Sequence, residues 1–118
     1  MTWQLNTWYL AKLATLKHNI TTTITQNLLA AGDNVNDVKY ISIANVGQVT
    51  AFVDLLLNQG DNNYYLLKNA KVLVGKALNL NKDNNISFNN TVNGFSLRVQ
   101  VDDGEEIAVP VDIVITRW

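Results

Sequence analysis

The sequence predicts an all-β fold, namely an antiparallel β-sandwich of about eight strands in a jelly-roll or immunoglobulin-like arrangement. From residue 19 onward, apolar residues alternate with polar ones with period two, as in strands that bury one face. Turns rich in Asn, Asp and Gly interrupt this alternation at short and regular intervals. Short strands joined by such turns are typical of an antiparallel sandwich.

The length and charge of the chain limit its domain organisation and its partners. At 118 residues it can bury one core, so we predict one sandwich domain, residues 19–118, preceded by an N-terminal arm, residues 1–18. The net charge of −1 gives no long-range field for nucleic acid or an anionic membrane, and we predict neither as a partner. Charged residues are only 16% of the chain, and a surface that relies on amides is tolerated best in an assembly.

The first three predicted strands alternate between apolar and polar residues. In the second of them, Ile41 and Ile43 are expected to point inward, and Lys39 and Asn45 outward. In the third, aliphatic residues alternate with polar ones such as Asp54 on the other face. The three strands are residues 20–25, 38–46 and 49–57.

The middle of the chain contains two apolar runs that are split by the segment Lys68–Lys71. The split predicts two strands, residues 64–69 and 71–80, with a bend in the second at Gly75. An Asn-rich loop and a short strand at residues 86–88 are expected to follow.

The clearest alternation comes last, in residues 95–101 and 107–115. Asp103 and Gly104 lie between these runs and form a favoured hairpin turn pair, so we predict a terminal β-hairpin. Pro110 has no N–H group to donate, which predicts that the last strand lies at a sheet edge or carries a bulge there.

The N-terminal arm differs in composition from the rest of the chain. It contains two Trp, one Tyr and four Leu but no acidic residue, and its pattern fits a helix or an extended segment equally well. Large aromatic side chains bury about 150–250 Å² each when packed. The arm is therefore expected to pack either on its own sandwich or on a neighbouring subunit. The residues predicted to anchor assembly are Trp3, Leu5, Trp8, Tyr9, Leu10 and Leu13.

Few residues could support catalysis, metal binding or membrane insertion. His18 is the single histidine, no cysteine is present, and a nucleophile needs a base that a third group orients. The densest acidic cluster, Asp102–Glu106, spans a turn and is predicted to be solvated, with a weak Ca²⁺ site as the alternative. No apolar segment reaches the ~18 residues that a membrane helix needs. We predict no enzymatic activity, no catalytic residue, no cofactor and no metal.

Three stretches have a distinctive character: a Thr-rich strand that ends in two leucines, a strand that turns at Ile-Ala-Asn into a long apolar strand, and two apolar runs after Tyr-Leu-Leu-Lys-Asn. They are NITTTITQNLL (Asn19–Leu29), VKYISIANVGQVTAFVDLLL (Val38–Leu57) and YYLLKNAKVLVGKALNL (Tyr64–Leu80). In these stretches the chain resembles small β-sandwich virion structural proteins of tailed bacteriophages, of the marine and cyanophage type.

The resemblance implies a non-enzymatic component of a bacteriophage virion, made in the host cytoplasm, that decorates the capsid or belongs to the tail or neck. Its partners would be other virion proteins and further copies of itself, joined through the arm and through strand edges. The alternative is a carbohydrate- or receptor-binding module of a virion, because jelly rolls include lectins. Tyr64 and Tyr65, together with Trp118 and the Asn-rich loops, would then contact the glycan or partner.

Overall fold

The computed structural model describes residues 15–31, 38–84, 86 and 94–117. Within these ranges the chain forms eight strands in two four-stranded antiparallel sheets, which confirms the predicted all-β sandwich. The strands are β1 (Leu16–Ile20), β2 (Gln26–Leu29), β3 (Val38–Asn45), β4 (Ala51–Gln59), β5 (Asn62–Val72), β6 (Ala77–Leu80), β7 (Ser96–Asp102) and β8 (Val111–Arg117). A short 3-10 turn, Lys82–Asn84, follows β6.

The strand order is that of a jelly roll. One sheet has the order β1-β8-β3-β6 and the other has the order β2-β7-β4-β5. Consecutive strands therefore occupy matching positions in the two sheets, in the pairs β1 and β2, β3 and β4, β5 and β6, and β7 and β8. The chain passes from one sheet to the other between the members of each pair, which gives the two interlocked Greek keys of this architecture.

The alternation along the central strands places aliphatic side chains between the two sheets. Ile41 and Ile43, predicted to point inward from β3, are fully buried. Alternate residues of the other central strands are buried with them, namely Val53, Leu55, Val99, Val101, Ile113 and Ile115. Burial of one such side chain contributes about 1.5–3 kcal/mol. This layer is therefore a main source of the stability that holds the loops in place.

The first strand lies earlier than the sequence predicted. The prediction of a strand at residues 20–25 is wrong, because β1 ends at Ile20 and residues 21–25 cross to the other sheet. The period-two pattern continues through this crossing, but Ile24 is exposed and only Ile20 belongs to the core. Because β1 begins at Leu16, the last residues of the predicted arm are part of the sandwich.

The predicted break at Lys68–Lys71 is also wrong. Strand β5 continues from Asn62 to Val72, and the chain turns to β6 only at residues 73–76, where Gly75 has a φ of +74°. Asn69 within β5 has a φ of +52°, which marks a β-bulge. The polar interruption of the apolar pattern therefore reflects a bulge in one strand rather than a turn between two.

The predicted terminal hairpin does not form, because β7 and β8 lie in different sheets. Asp103 and Gly104 do make a local turn, in which the Asp103 N–H donates to the Ile107 carbonyl at 2.9 Å. The chain then continues to β8, which lies between β1 and β3. Pro110 was predicted to mark either a sheet edge or a bulge in the last strand. The edge alternative is wrong because β8 is central, and Pro110 lies just before β8, which begins at Val111.

Two smaller predictions have different outcomes. Asn45, expected to point outward from β3, is only 2% exposed, so that prediction is wrong. The predicted strand at residues 86–88 falls mostly outside the described residues, although Ile86 itself is fully buried.

Candidate assembly surfaces

Strand β5 forms one edge of its sheet, since β4 is its neighbour on one side and the sheet ends on the other. It has 11 residues, compared with five, four and four in the other edge strands β1, β2 and β6. An edge strand presents backbone N–H and C=O groups that can pair with a further strand. Among the described edges, β5 therefore offers the longest surface for strand addition.

Two irregularities divide this edge into parts. Val53 of β4 is opposite Ala70, whereas Leu55 is opposite Leu67 and Leu56 is opposite Tyr65, so β5 contains extra residues at two points. Bulges bend and twist the strand that carries them and disturb flat pairing. The segment before the bulges, Asn62–Tyr65, pairs with β4 without a shift and is the regular part of the edge.

Asp54 holds the second bulge in place from the neighbouring strand β4. One carboxylate oxygen accepts the Asn69 N–H at 2.7 Å, and the other accepts a hydrogen bond from Lys68 Nζ at 3.1 Å. The left-handed backbone of Asn69 suits an Asn residue. The hydrogen bond to Asp54 raises the pKa of Lys68 above its ordinary value of 10.5, so this lysine is charged at neutral pH.

The two tyrosines predicted to contact a glycan or partner are both exposed, with 56% of Tyr64 and 47% of Tyr65 accessible. They point to opposite faces of β5, as successive residues of a strand do. Lys68 Nζ lies 4.5 Å from the centre of the Tyr65 ring and covers one of its faces. Asn58 Nδ2 donates to Asn63 Oδ1 at 2.7 Å nearby. The tyrosines are thus available for contact, but they do not form one shared aromatic platform.

Replacing Asp54 with Asn tests the ion pair at the bulge. We expect the pKa of Lys68 to fall toward 10.5, because the neutral amide no longer favours the charged ammonium. Because the pKa of Lys68 is raised in the folded state, the ion pair contributes its full stabilisation below pH 10.5. This stabilisation is lost as the pH rises through the folded-state pKa. The stability difference between the two proteins should therefore be constant from about pH 6 to about pH 9 and shrink only above about pH 10.5.

The measurements for Asp54→Asn are an NMR titration of the Lys68 side chain and urea unfolding at several pH values. Asp61→Asn, in the exposed turn between β4 and β5, is the matched control and should leave the Lys68 titration unchanged. An unaltered Lys68 titration in Asp54→Asn would show that the ion pair is not formed in solution.

His18 lies in β1 opposite Ile113 and is half-buried. Its Nε2 atom is buried and has no hydrogen-bond partner within the described part of the chain. A depression of about 370 Å³ lies beside it, lined by Lys17, His18, Asn19, Asp112, Ile113 and Val114. Asn19 Nδ2 donates to Asp112 Oδ1 at 2.7 Å across this surface. Over residues 15–31, 38–84, 86 and 94–117, no three His, Cys, Asp or Glu side chains are grouped so that they could hold a metal ion.

The acidic cluster spans the end of β7 and the turn after it, where Asp102 and Asp103 are half-buried rather than fully solvated as predicted. Asp102 accepts the Gly104 N–H, and Asp103 accepts the N–H groups of Glu105 and Ile107, at 2.8–3.1 Å. These two carboxylates therefore organise the backbone of their own loop. Glu105 and Glu106 are exposed.

The predicted anchor residues of the arm lie outside the described residues, as does Trp118. The anchors are Trp3, Leu5, Trp8, Tyr9, Leu10 and Leu13. The described part of the chain begins at Thr15, and β1 begins at Leu16. Among the described residues there is no helix long and apolar enough to span a membrane.

No protein-family model matches the chain, and no curated protein matches it either. Among solved structures, the chain is similar to the nucleoplasmin-like N-terminal domain of Drosophila FKBP39, with a TM-score of 0.57, 11% identity and 92% of each chain covered. It is also similar to a pentameric capsid protein from metagenomic phage sequences, with a TM-score of 0.47, 13% identity, and 87% of this chain and 60% of that chain covered.

A third similar structure is the Yersinia pseudotuberculosis-derived mitogen, with a TM-score of 0.44, 14% identity, and 89% of this chain and 85% of that chain covered. At 11% identity, the likeness to the nucleoplasmin-like domain shows the fold alone. The phage capsid protein and the mitogen have TM-scores below 0.5, so no inference about this chain rests on them.

Proposed function

We propose that the protein is a non-enzymatic structural subunit of a bacteriophage virion, which decorates the capsid or belongs to the tail or neck. It assembles with copies of itself and with other virion proteins through its N-terminal arm and its strand edges. The observation that carries this proposal is a jelly roll with a long edge strand whose segment Asn62–Tyr65 is regular and exposed. Viral capsid domains use the same architecture, and the sequence resemblance to virion proteins points the same way.

The edge and the arm would contribute differently to assembly. A strand added at Asn62–Tyr65 gains backbone hydrogen bonds and fixes the orientation of the neighbour, but a four-residue edge buries little apolar surface. A stable interface buries about 800 Å² on each partner. The three aromatic residues Trp3, Trp8 and Tyr9 could supply about 450–750 Å² of this area if they are buried. The arm therefore provides the main burial and the edge provides the geometry.

Mass spectrometry of purified virions tests the virion assignment. In particles of the phage that encodes the chain, we expect the protein in stoichiometric copies after nuclease treatment and washing in high salt. An assembly that depends on apolar burial resists such washing, because salt screens only the charges. Abundant protein in the lysate with none on washed particles would overturn the assignment.

Sedimentation of the full-length chain tests the role of the arm. Replacing Trp3 and Trp8 together with Ala should lower the oligomeric mass, whereas the polar pair Asn6→Ala and Thr7→Ala in the same arm should not. A truncation should begin at Thr15, because β1 starts at Leu16 and a longer deletion would remove part of a strand. Unchanged assembly of both the Trp variant and the truncation would show that the arm is not the anchor.

A carbohydrate- or receptor-binding module of a virion is the second candidate. Tyr64 and Tyr65 are exposed beside the hydrogen-bonded amides of Asn58 and Asn63, which is the combination that a sugar-binding face uses. Binding of the full-length chain to a glycan array, lost in Tyr64→Ala or in Tyr65→Ala, would favour this function. Because the two rings point to opposite faces of β5, a single glycan should depend strongly on only one of them.

A further inference from the structure

Four of the connections between the two sheets lie at the same end of the sandwich, which we call the loop end. They are residues 21–25, 46–50, 73–76 and 103–110. The strand registers place them together, since the end of β1 pairs with the start of β8, and the start of β4 pairs with the ends of β5 and β7. All four connections are described by the structure.

The loop end exposes six large aliphatic side chains. They are Ile24, Val46, Val49, Leu73, Val74 and Ile107, each between 48% and 71% accessible. They account for all the exposed large aliphatic residues within the described ranges, since the other exposed large hydrophobic residues are Tyr64 and Tyr65. Scattered apolar residues on a surface need no explanation, but a group with polar residues around it marks an interaction site.

Asn45 fixes two of the four connections to each other, namely residues 46–50 and residues 73–76. Its Nδ2 donates to the carbonyls of Val49 and Val72 at 2.7 and 2.8 Å, and its Oδ1 accepts the Gly47 N–H at 2.9 Å. Its backbone N–H donates to Lys76, and its carbonyl accepts the Gly75 N–H. The loop end is thus organised before any partner arrives, which lowers the ordering cost of binding.

The second connection, residues 46–50, is also tied to the last one, residues 103–110. The Val46 N–H donates to the Pro110 carbonyl at 3.1 Å, and a Cβ atom at Gly47 would lie only 2.9 Å from the side chains of Val109 and Pro110. The exposed carboxylates of Glu105 and Glu106 precede the exposed Ile107 in this same connection. The aliphatic group therefore has a negatively charged margin on the side of residues 103–110, whereas the connection 73–76 carries the exposed Lys76.

We propose that the loop end of one copy binds the N-terminal segment, residues 1–14, of a second copy, an inference that rests on the proposed assembly through the arm. This segment contains three aromatic residues and three leucines, and its single charged side chain is that of Lys12. The segment matches the loop end in apolar character and in charge. Its apolar residues can cover the aliphatic side chains, and Lys12 can place positive charge near the negative margin.

Two other occupants fit less well. Two loop ends packed against each other would bring together their Glu105 and Glu106 carboxylates, and like charges facing each other across an interface are unfavourable. Strand β1 begins at Leu16, away from the loop end, and reaches the loop end at Ile20, so the segment of the same copy would have to turn back along β1 to reach its own loop end. A 14-residue segment can extend about 46 Å, which is enough to reach a neighbouring copy.

Disulfide cross-linking tests this proposal directly, because the natural chain has no cysteine. One full-length preparation carries Thr7→Cys, and another carries Gln48→Cys at an exposed position between Val46 and Val49. The two preparations are mixed in a redox buffer. We expect a disulfide-linked pair of the two chains. The yield should exceed by about tenfold that with Asp61→Cys, an equally exposed position in the turn between β4 and β5.

Two second-site changes identify the contacts. Val49→Asp added to the Gln48→Cys chain should reduce the cross-link about tenfold, because a charge then lies in the apolar contact. Lys12→Glu in the Thr7→Cys chain should also reduce it, and Glu105→Lys with Glu106→Lys in the other chain should restore it. Circular dichroism spectra that match the natural protein establish that each variant is folded.

The outcomes separate this inference from the proposed function. One outcome is that the cross-link at Gln48→Cys is no stronger than that at Asp61→Cys, while replacing Trp3 and Trp8 with Ala still dissociates the oligomer. This outcome overturns the loop-end inference and leaves assembly through the arm intact. A second test uses one chain that carries both Thr7→Cys and Gln48→Cys at high dilution. A disulfide that forms within this single chain overturns binding of a second copy. A monomeric chain that these Trp changes do not affect overturns both.

Discussion

Replacing Asn45 with Asp is expected to lower the free energy of unfolding by about 3–5 kcal/mol, although the two side chains have the same shape. The Oδ1 atom could still accept the Gly47 N–H, but the amide donor that serves the Val49 and Val72 carbonyls is lost. An oxygen then faces two carbonyl oxygens at a site that is only 2% exposed. A buried charge without a partner is among the most costly single changes in a protein.

Urea unfolding measures this effect, with Asn45→Ala as the second variant. The alanine removes all three side-chain hydrogen bonds without adding a charge, so it should cost about 2–4 kcal/mol, less than the aspartate. Asn62→Asp, at an exposed position in β5, is the matched control and should change stability by less than about 0.5 kcal/mol. An Asn45→Asp variant as stable as this control would show that Asn45 does not hold the connections together.

The same variants link stability to the proposed docking surface. Asn45 fixes the positions of Val46 and Val49 relative to the turn at residues 73–76. Asn45→Ala can be added to the Gln48→Cys chain and tested at a temperature where this chain is still folded. The yield of the disulfide with the Thr7→Cys chain should then fall, because the loops must be ordered before they bind. The side chain therefore affects assembly without contacting the second copy.

The all-β fold could be predicted because the core residues follow a local period-two pattern in the sequence. Ile41 and Ile43 alternate with polar neighbours, and in the structure they face the opposite sheet. The ends of the strands could not be predicted in the same way. The aliphatic residues continue past them into the connections, so Val46, Val49 and Leu73 were assigned to strands although they are exposed at the loop end.

The pairing of the strands was harder to predict than their existence. Asp103 and Gly104 carry a strong local signal for a turn, and the turn is present. Whether the chain then returns to the same sheet depends on which partner β8 finds, and β8 pairs with β1 and β3 from distant parts of the sequence. A local signal cannot contain this information, because it is set by the burial of β8 between both strands.

The chemistry of the β5 edge was only partly accessible from the sequence. The exposure of Tyr64 and Tyr65 could be predicted, since they directly follow the polar segment of residues 58–63. The contact between Asp54 and Lys68 could not, because these residues are 14 positions apart and meet only through a bulge. The bulge itself appeared in the sequence as a polar gap, which is equally typical of a turn.

Replacing Ile113 with Ala is the second change expected to have a large effect, with a loss of about 4 kcal/mol in the free energy of unfolding. Ile113 is fully buried in the central strand β8, between His18 of β1 and Ile43 of β3. Large-to-small changes in a core cost about 2–5 kcal/mol, and more where the surroundings cannot collapse into the cavity. Strands on both sides hydrogen-bond to β8 and restrict such a collapse.

Val114→Ala is the control for Ile113→Ala, because Val114 is the next residue of β8 and lines the depression on the outer face of the sheet. It is half-buried, so its change should cost less than about 1.5 kcal/mol. Both variants are compared by urea unfolding, where the slope should stay constant if the unfolded states are alike. Equal losses at the two positions would contradict the assignment of one face of β8 to the core.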